Sequence, residues 1–464
     1  MNIKGHTVAP ERKFNMKTIT APYKIKGGVH PAYRKELARE QAIRTMPVPS
    51  LLRVSMAQHL GAPAKPLVKK GDTVLRGQRI GEPAGFISAS VHASVSGTVK
   101  AVGPAPTASG AMAMAVDIEP DGNDTWLEQL TPQPNWSALD AKTLTGIVAE
   151  AGVAGMGGAG FPTNVKLSPP PDKPIDTLIV NGAECEPYLT ADERLMRERP
   201  EQVWTGIAIL RHILGAKIVR VAIEDNKPDA IRAMKKAMAD AEGDVALVVL
   251  PASYPQGAEK QQIYGITGRE TPSGGLPMDV GCLVENVGTC LAVQDAVVNG
   301  RPLTERVTTV TGDPVAEPGN VLNRIGTPYA DLIAFCGGLR GSVAKVISGG
   351  PMMGFAQGSL DGATAKTTSG LLALAPGQAP VYESLACISC GRCVQACPMG
   401  LLPCELSQAL EAEDYDLADA FHVMDCIECG CCAYVCPARR PLVQHMRTGK
   451  ARIALKRREA MQKK

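Results

Sequence analysis

Between Cys387 and Pro437 one arrangement of cysteines is written twice: Cys387-x-x-Cys390-x-x-Cys393-x-x-x-Cys397-Pro398, then Cys426-x-x-Cys429-x-x-Cys432-x-x-x-Cys436-Pro437. Thiolate sulfur is the ligand an iron–sulfur cube requires, and cysteines at every third position let one tight loop grip three corners. The fourth, followed by proline, starts a new turn and reaches the other cluster. The spacing therefore predicts two [4Fe–4S] centres, one held by Cys387, Cys390, Cys393 and Cys436, the other by Cys426, Cys429, Cys432 and Cys397. Structural zinc usually shows two separated Cys-x-x-Cys pairs, which is not this pattern. A disulfide framework suits a short secreted domain, and this chain is neither short nor visibly secreted. Cys431 adjoins Cys432 and is a rival ligand, though the regular spacing favours Cys432. Cys185, Cys282, Cys290, Cys336 and Cys404 fit neither motif and read as small buried residues.

With 464 residues, the chain has room for three or four domains. Aromatic residues make up only 4%, so the cores must be aliphatic, and 47 glycines and 36 prolines fit many short strands and tight turns. Fourteen cysteines, eight of them in the two motifs, imply a reducing compartment. The N-terminal stretch has no apolar core of signal-peptide type, and no run of about eighteen apolar residues occurs. That predicts a soluble protein, or one held at a membrane by partners. The net charge of +3 decides little, but Arg and Lys crowd the segment after Pro437. A solvated helical tail and a docking element for an acidic partner or anionic lipid both fit it. With no aromatic residues interleaved for base stacking, nucleic acid is not an expected partner.

Taken in order, residues 1–45 are a basic, turn-rich entry segment. Residues 46–125 read as short strands and turns, with Val68–Ile80 and Val91–Val99 forming a pair of alternating segments. That pair resembles a biotinyl/lipoyl-type barrel-sandwich hybrid, but Gly85–Ser90, where the carrier lysine would stand, contains no lysine, so a scaffold is expected. His92 reads as structural. Residues 121–140 are a polar linker, and Ser137 and Asp140 offer N-caps for a helix through Thr143–Ala151. The run Gly155-Met-Gly157-Gly158-Ala-Gly160-Phe161-Pro-Thr follows, with Lys166 close behind. Such a loop brings backbone N–H groups against a phosphate or a flavin edge. Thr177–Asn181 then reads as a buried strand delivering Gly182-Ala183-Glu184-Cys185-Glu186-Pro187 at its C-terminal end, where α/β sheets bind ligands. Alternating helices (202–214, 228–241) and strands (217–223, 245–250) predict a parallel, doubly wound, Rossmann-like sheet over 135–300. Tyr254–Lys260, with Glu259, is a second candidate loop, and Val284–Thr289, with Asn286, a third. Residues 301–360 return to β character around a short helix near Pro328–Cys336, which fits a small mixed domain. Residues 370–445 hold the two-cluster ferredoxin-like domain, with a helical pattern in the spacer (405–414, 416–424), and 446–464 form the basic tail.

The three stretches around Gly155–Thr163, Asn181–Pro187 and Val284–Thr289 resemble the NADH- and FMN-binding subunit of respiratory complex I. The order barrel-sandwich, Rossmann-like flavin/NADH fold, β-grasp (SLBB-type) module and helical two-cluster ferredoxin domain is similar, over nearly the whole chain, to the RnfC family of Rnf electron-transport complexes. The overall class is thus multidomain α/β and α+β. The resemblance implies non-covalent FMN, NADH or NAD as substrate, and two [4Fe–4S] clusters. It also implies docking on the other subunits of a membrane electron-transport complex that links NADH indirectly to ferredoxin. It further implies a peripheral place on the cytoplasmic face of the inner membrane. Carried over by motif, Gly155, Gly157, Gly158, Lys166, Asn181, Glu259 and Asn286 would bind cofactor, and Glu184 and Glu186 would act where flavin and nicotinamide meet. Ala183 departs from the complex I pattern, which has an acidic residue there. Phe161 is the one evident aromatic counterpart of the adenine-sandwiching residues.

NADH gives two electrons as a hydride, whereas an iron–sulfur cube takes one, and a flavin bridges that mismatch. No side chain need act as nucleophile or general base. A soluble flavin-dependent reductase serving a cobalamin or amino-acid reductase, and an electron-carrier adaptor that binds no NADH, are the rival expectations. Cluster potentials can lie anywhere in roughly −700 to +450 mV, so the direction of flow is not legible.

Overall fold

The computed structural model describes residues 16–127, 131–158 and 160–462. The N-terminal stretch read for a signal peptide, residues 128–130 of the linker, Ala159 of the glycine-rich loop and the terminal Lys463 and Lys464 lie outside the described residues.

A five-stranded, all-parallel sheet sits at the centre, in the order Thr18–Thr20, Asp244–Leu250, Ile218–Glu224, Thr177–Gly182, Cys282–Asn286. Parallel strands covered on both faces must be apolar on both. Accordingly Leu178 and Val180 enter one core with Val148, Ile207 and Val293, while Ile179 enters a second with Ala222, Val248 and Ile263. Each such side chain, fully buried, contributes on the order of 1.5–3 kcal/mol. The helices Ala141–Glu150, Pro200–Leu214 and Val287–Val298 cover the first face, and Glu259–Thr267 the second. Asp140 caps the first of these, its carboxylate accepting from the Thr143 amide at 2.7 Å.

Residues 52–120 fold into two small sheets of four and three strands packed on Leu52, Val54, Ile80, Val91 and Val116, a closed scaffold with no carrier lysine at its tip. His92 is buried in it, and burial, with Lys366 nearby, pushes its imidazole down to about 3. Lys366, itself buried, donates to Ser90 O and Gly152 O at 2.7 Å each, bolting the scaffold to the parallel-sheet domain. A six-stranded mixed sheet follows, built on Glu305–Thr311, Gly319–Arg324, Lys345–Ser348 and Phe355–Ala356.

Three stretches behave differently from the sequence reading. The entry segment is not a separate piece: Thr18–Thr20 is an edge strand of the parallel sheet, and Arg44–Thr45 joins the mixed sheet beside Gly319–Arg324. Gly370–Leu374, expected to lead into the cluster domain, is a fully buried central strand of the mixed sheet. The basic tail is the continuation of one helix, Leu442–Gln462, whose Met446 and Ile453 are buried against Leu406 and Leu410. Among the described residues no helix is long and apolar enough to cross a membrane.

Candidate flavin and cluster sites

Cys282–Asn286 lies on one side of Thr177–Gly182 and Ile218–Glu224 on the other, so connections leave the sheet in opposite directions at this point. Such a switch point opens a crevice at the carboxyl ends of the two strands. Asn181 and Asn286 are register partners there. Asn286 ends its strand and caps the helix Val287–Val298, its Oδ1 accepting from Gly288 N at 2.8 Å, while its Nδ2 donates to Asp192 at 2.6 Å. Gly157 lies against it: a Cβ at 157 would stand 2.7 Å from Asn286 Nδ2. Gly157 and Gly158 are both exposed, but a Cβ at 158 would meet nothing within 4 Å. Gly155 closes the loop through its amide on Phe161 O at 2.9 Å.

Lys166 stands beneath the crevice, donating to Val284 O at 2.8 Å and Glu259 at 3.2 Å, with buried Glu285 at 3.7 Å. Burial pulls this ammonium down, but Glu285 and Glu259 more than offset it and hold it above the usual lysine range. Asn181 donates to Gly257 O at 2.8 Å and accepts from Gln262 at 2.9 Å. The structure thus brings Gly157, Lys166, Asn181, Glu259 and Asn286 to one crevice.

Glu184 and Glu186 are positioned differently from one another. Glu184, in the left-handed region at φ 46°, turns its carboxylate onto the amides of Asp192 and Glu193 (2.8 and 3.2 Å), at the start of the helix Ala191–Glu198. Glu186 accepts from Met352 N and Met353 N (3.1 and 2.8 Å), and a Cβ at Gly350 would stand 2.3 Å from its Oε2. Burial raises both carboxyls, Glu186 to about 7. Beneath them the buried Lys35 donates to the carbonyls of Glu184 (2.8 Å), Glu186 (3.1 Å) and Leu189, fixing the whole loop. Both carboxylates are engaged by backbone, so each sets the position of its loop.

The cysteines converge on two cavities. One is lined by Cys397, Cys426, Cys429 and Cys432, with Cys431 beside them, and has an empty volume of about 390 Å³ including its mouth. The other is lined by Cys387, Cys390, Cys393 and Cys436, with Cys404, and measures about 380 Å³ on the same basis. Each motif's fourth cysteine stands with the other motif's first three. No disulfide joins any of the fourteen cysteines. Among the described residues no group of His, Cys, Asp or Glu is drawn together tightly enough for a single metal ion; the thiols surround open space instead. Cys185, Cys282, Cys290 and Cys336 are buried as expected, but Cys404 is only half-buried and faces the second cavity. Cys431 is fully buried and points its thiol at Tyr254 O, 3.8 Å away.

The two cavities differ in surroundings. The Cys426 cavity is the inner one, pressed against the parallel-sheet domain: Tyr254 Oη donates to Cys429 O at 2.7 Å, Gln261 Nε2 to Pro398 O at 3.1 Å, and Gly28 N to Ala396 O at 3.0 Å. Val29, Cys185, Tyr254, Cys429 and Cys431 share one apolar cluster across this contact. The Cys387 cavity is the outer one, with Cys390 exposed. Pro255 and Gln256 alone separate Tyr254, on the Cys429 backbone, from Gly257, on Asn181.

This organisation matches known families domain by domain. Residues 23–123 match the RnfC barrel sandwich hybrid domain, 148–295 the Nuo51 FMN-binding domain, 307–356 the SLBB domain and 379–437 the 4Fe-4S dicluster domain. Over 424 residues, 91% of this chain and 92% of its relative, the chain is 50% identical to the C component of the proton-translocating ferredoxin:NAD(+) oxidoreductase complex of Clostridium ljungdahlii. The chain belongs to the RnfC family. It is also 46% identical to the C component of the Na(+)-translocating ferredoxin:NAD(+) oxidoreductase complex of Acetobacterium woodii, over 94% of this chain and 98% of that one. A third relative, the C component of the ion-translocating oxidoreductase complex of Rhodobacter capsulatus, is 46% identical over 93% of this chain and 83% of its own.

An RnfC-type chain thus carries FMN and two [4Fe–4S] clusters as its cofactors, and its residues fit them. Gln262 Oε1, buried beside Asn181, has no hydrogen-bond partner in the protein, as an acceptor for a hydroxyl-bearing ligand would. The helix Val287–Val298 offers its N-terminus, and Lys166 a cation, to a phosphate. Four thiols per cavity suit a cube. Sequence reasoning missed Lys35, Asp192, Gln262 and Tyr254. Of these only Tyr254 carried a signal, its place in the candidate loop 254–260.

Proposed function

We propose that the chain is the peripheral NADH-oxidising or NAD-reducing member of a membrane-bound, ion-translocating ferredoxin:NAD(+) oxidoreductase complex, seated on the cytoplasmic face of the inner membrane. The observation that carries this reading is the short loop from Tyr254 to Gly257, which holds the backbone of Cys429, a residue of the inner cavity, at one end and Asn181 at the other. When bound, FMN exchanges a hydride for single electrons and the clusters accept electrons one at a time. Gly157, Gly158 and Gly155 would let the flavin approach backbone, Lys166 and the Asn286-capped helix would hold its phosphate, and Asn181 and Glu259 would orient it. Glu184 and Glu186 act through the loop they position, keeping Ala183 and Cys185 at the crevice wall. Cys397, Cys426, Cys429 and Cys432 would hold the inner cluster beside this loop, and Cys387, Cys390, Cys393 and Cys436 the outer one. The relatives named for proton and for sodium transport are similarly close, so the ion is set elsewhere in the complex.

The test is deletion and complementation. Washed membranes lacking this chain should lose ferredoxin-dependent NAD reduction and regain it with the wild-type chain. Recovery of the activity in the soluble fraction alone would contradict the membrane assignment.

A further inference from the structure

Residues 381–390 lead into the outer cavity, which 387–390 line, without helix or strand, and all but Cys387 are exposed. Four are large and apolar: Val381 is 100% exposed and Ile388 66%, with Tyr382 and Leu385 between them also open. Scattered apolar residues at a surface are ordinary, but a contiguous group marks a contact. The four fall within one stretch, 381–388, that is held in place. Leu385 N donates to Ala438 O at 3.0 Å, and the Arg439 guanidinium stacks 3.7 Å from the Tyr382 ring centre. Ile388 and Ala438 both line the outer cavity.

Charge adds direction. Arg440 is spent on Glu411 and Arg447 on Glu428, but Arg392 is exposed and Arg439 leans on an aromatic face. Against these cations residues 381–390 carry one carboxylate, Glu383. Beside the inner cavity, by contrast, the backbone of Cys429, Pro398 and Ala396 is already engaged by Tyr254, Gln261 and Gly28 of the parallel-sheet domain.

We infer that Val381, Tyr382, Leu385 and Ile388, with Arg392 and Arg439 at the rim, form the docking surface for a protein partner that presents a one-electron centre behind an apolar patch edged with carboxylates. This rests on the function proposed above. Small electron-transfer contacts bury less than about 1,200 Å² and release quickly, which matches a short apolar apron. A lipid surface would favour a cluster of four or more cations, and this rim holds two.

The experiment uses membranes carrying the assembled complex. With a photo-cross-linking amino acid in place of Leu385, irradiation should join this chain to a flavin- or iron–sulfur-bearing protein of the complex. Cross-links only to a second copy of this chain, or only to lipid, would overturn the inference. In parallel, Val381→Asp with Leu385→Asp should lower ferredoxin-dependent NAD reduction at least tenfold, since charges placed in an apolar contact are costly. NADH:ferricyanide activity of the same membranes should stay at the wild-type level. An undiminished ferredoxin-linked rate would overturn the inference. Failure of NADH to reduce the clusters of the wild-type chain would instead sink the functional reading beneath it.

Discussion

Tyr254 and Cys429 are joined by one hydrogen bond, phenol to backbone carbonyl, at 2.7 Å, and this is where the cluster domain meets the parallel-sheet domain. Tyr254 is 1% exposed, and burial raises its phenol far above the usual range, so it remains a donor at every working pH. Tyr254→Phe keeps the packing but leaves the Cys429 carbonyl unpaired in an apolar contact. A loss of about 1–3 kcal/mol is expected for an orphaned buried acceptor. It should be read as a lower Tm and faster chelator-driven loss of iron from the inner cluster than from the outer.

Glu186 makes the next contact pH-dependent. Its carboxyl, raised by burial to about 7, binds a proton more tightly folded than unfolded. The stability it contributes is therefore complete below the ordinary carboxylate range near 4.5 and is lost as pH rises through about 7. Glu186→Gln cannot ionise. The difference in Tm between variant and wild type should thus move in the variant's favour from about pH 5 to about pH 8, and a constant difference would argue against a raised carboxyl.

The two glycines of the loop should behave differently. Gly157→Ala drives a Cβ to within 2.7 Å of Asn286 Nδ2, so both stability and FMN retention should fall. Gly158→Ala meets only open space in the protein, so Tm should hold while FMN affinity falls at least tenfold, about 1.4 kcal/mol. Unchanged FMN affinity in Gly158→Ala would mean the flavin does not occupy that space.

Cross-ligation gives a sharper test of the cysteine assignment. Cys436→Ala removes a residue from the second motif yet should abolish the cluster of the first, leaving about four of eight irons. Cys397→Ala should do the converse. Electron paramagnetic resonance of the remaining signal separates inner from outer. Each variant erasing its own motif's cluster would overturn the pairing.

Much of this was legible because ligation restricts sequence directly: cysteines at fixed intervals followed by proline leave few alternatives. The parallel sheet was legible for a related reason, since Leu178-Ile179-Val180 must be apolar on both faces. What escaped were contacts made at long range. Lys35 reaches Glu184 across 149 positions, and nothing local distinguishes it from a surface lysine. Thr18–Thr20 is three residues long and gains its strand partner from Leu247–Val249. Gly370–Leu374 read as the lead-in to the cluster domain because its strand partners, Thr309–Thr311 and Lys345–Ser348, lie far back in the chain. Glu184 and Glu186 were legible as important carboxylates, but their partners, backbone amides at 192, 193, 352 and 353, leave no trace in residue type.

The most direct test is anaerobic reconstitution of the full chain, followed by iron, sulfide and flavin analysis and a titration with NADH. The account predicts about eight irons per chain, one releasable FMN, and bleaching of the cluster absorbance on adding NADH. Zinc in place of iron, or full clusters that NADH leaves oxidised in the presence of FMN, would contradict it.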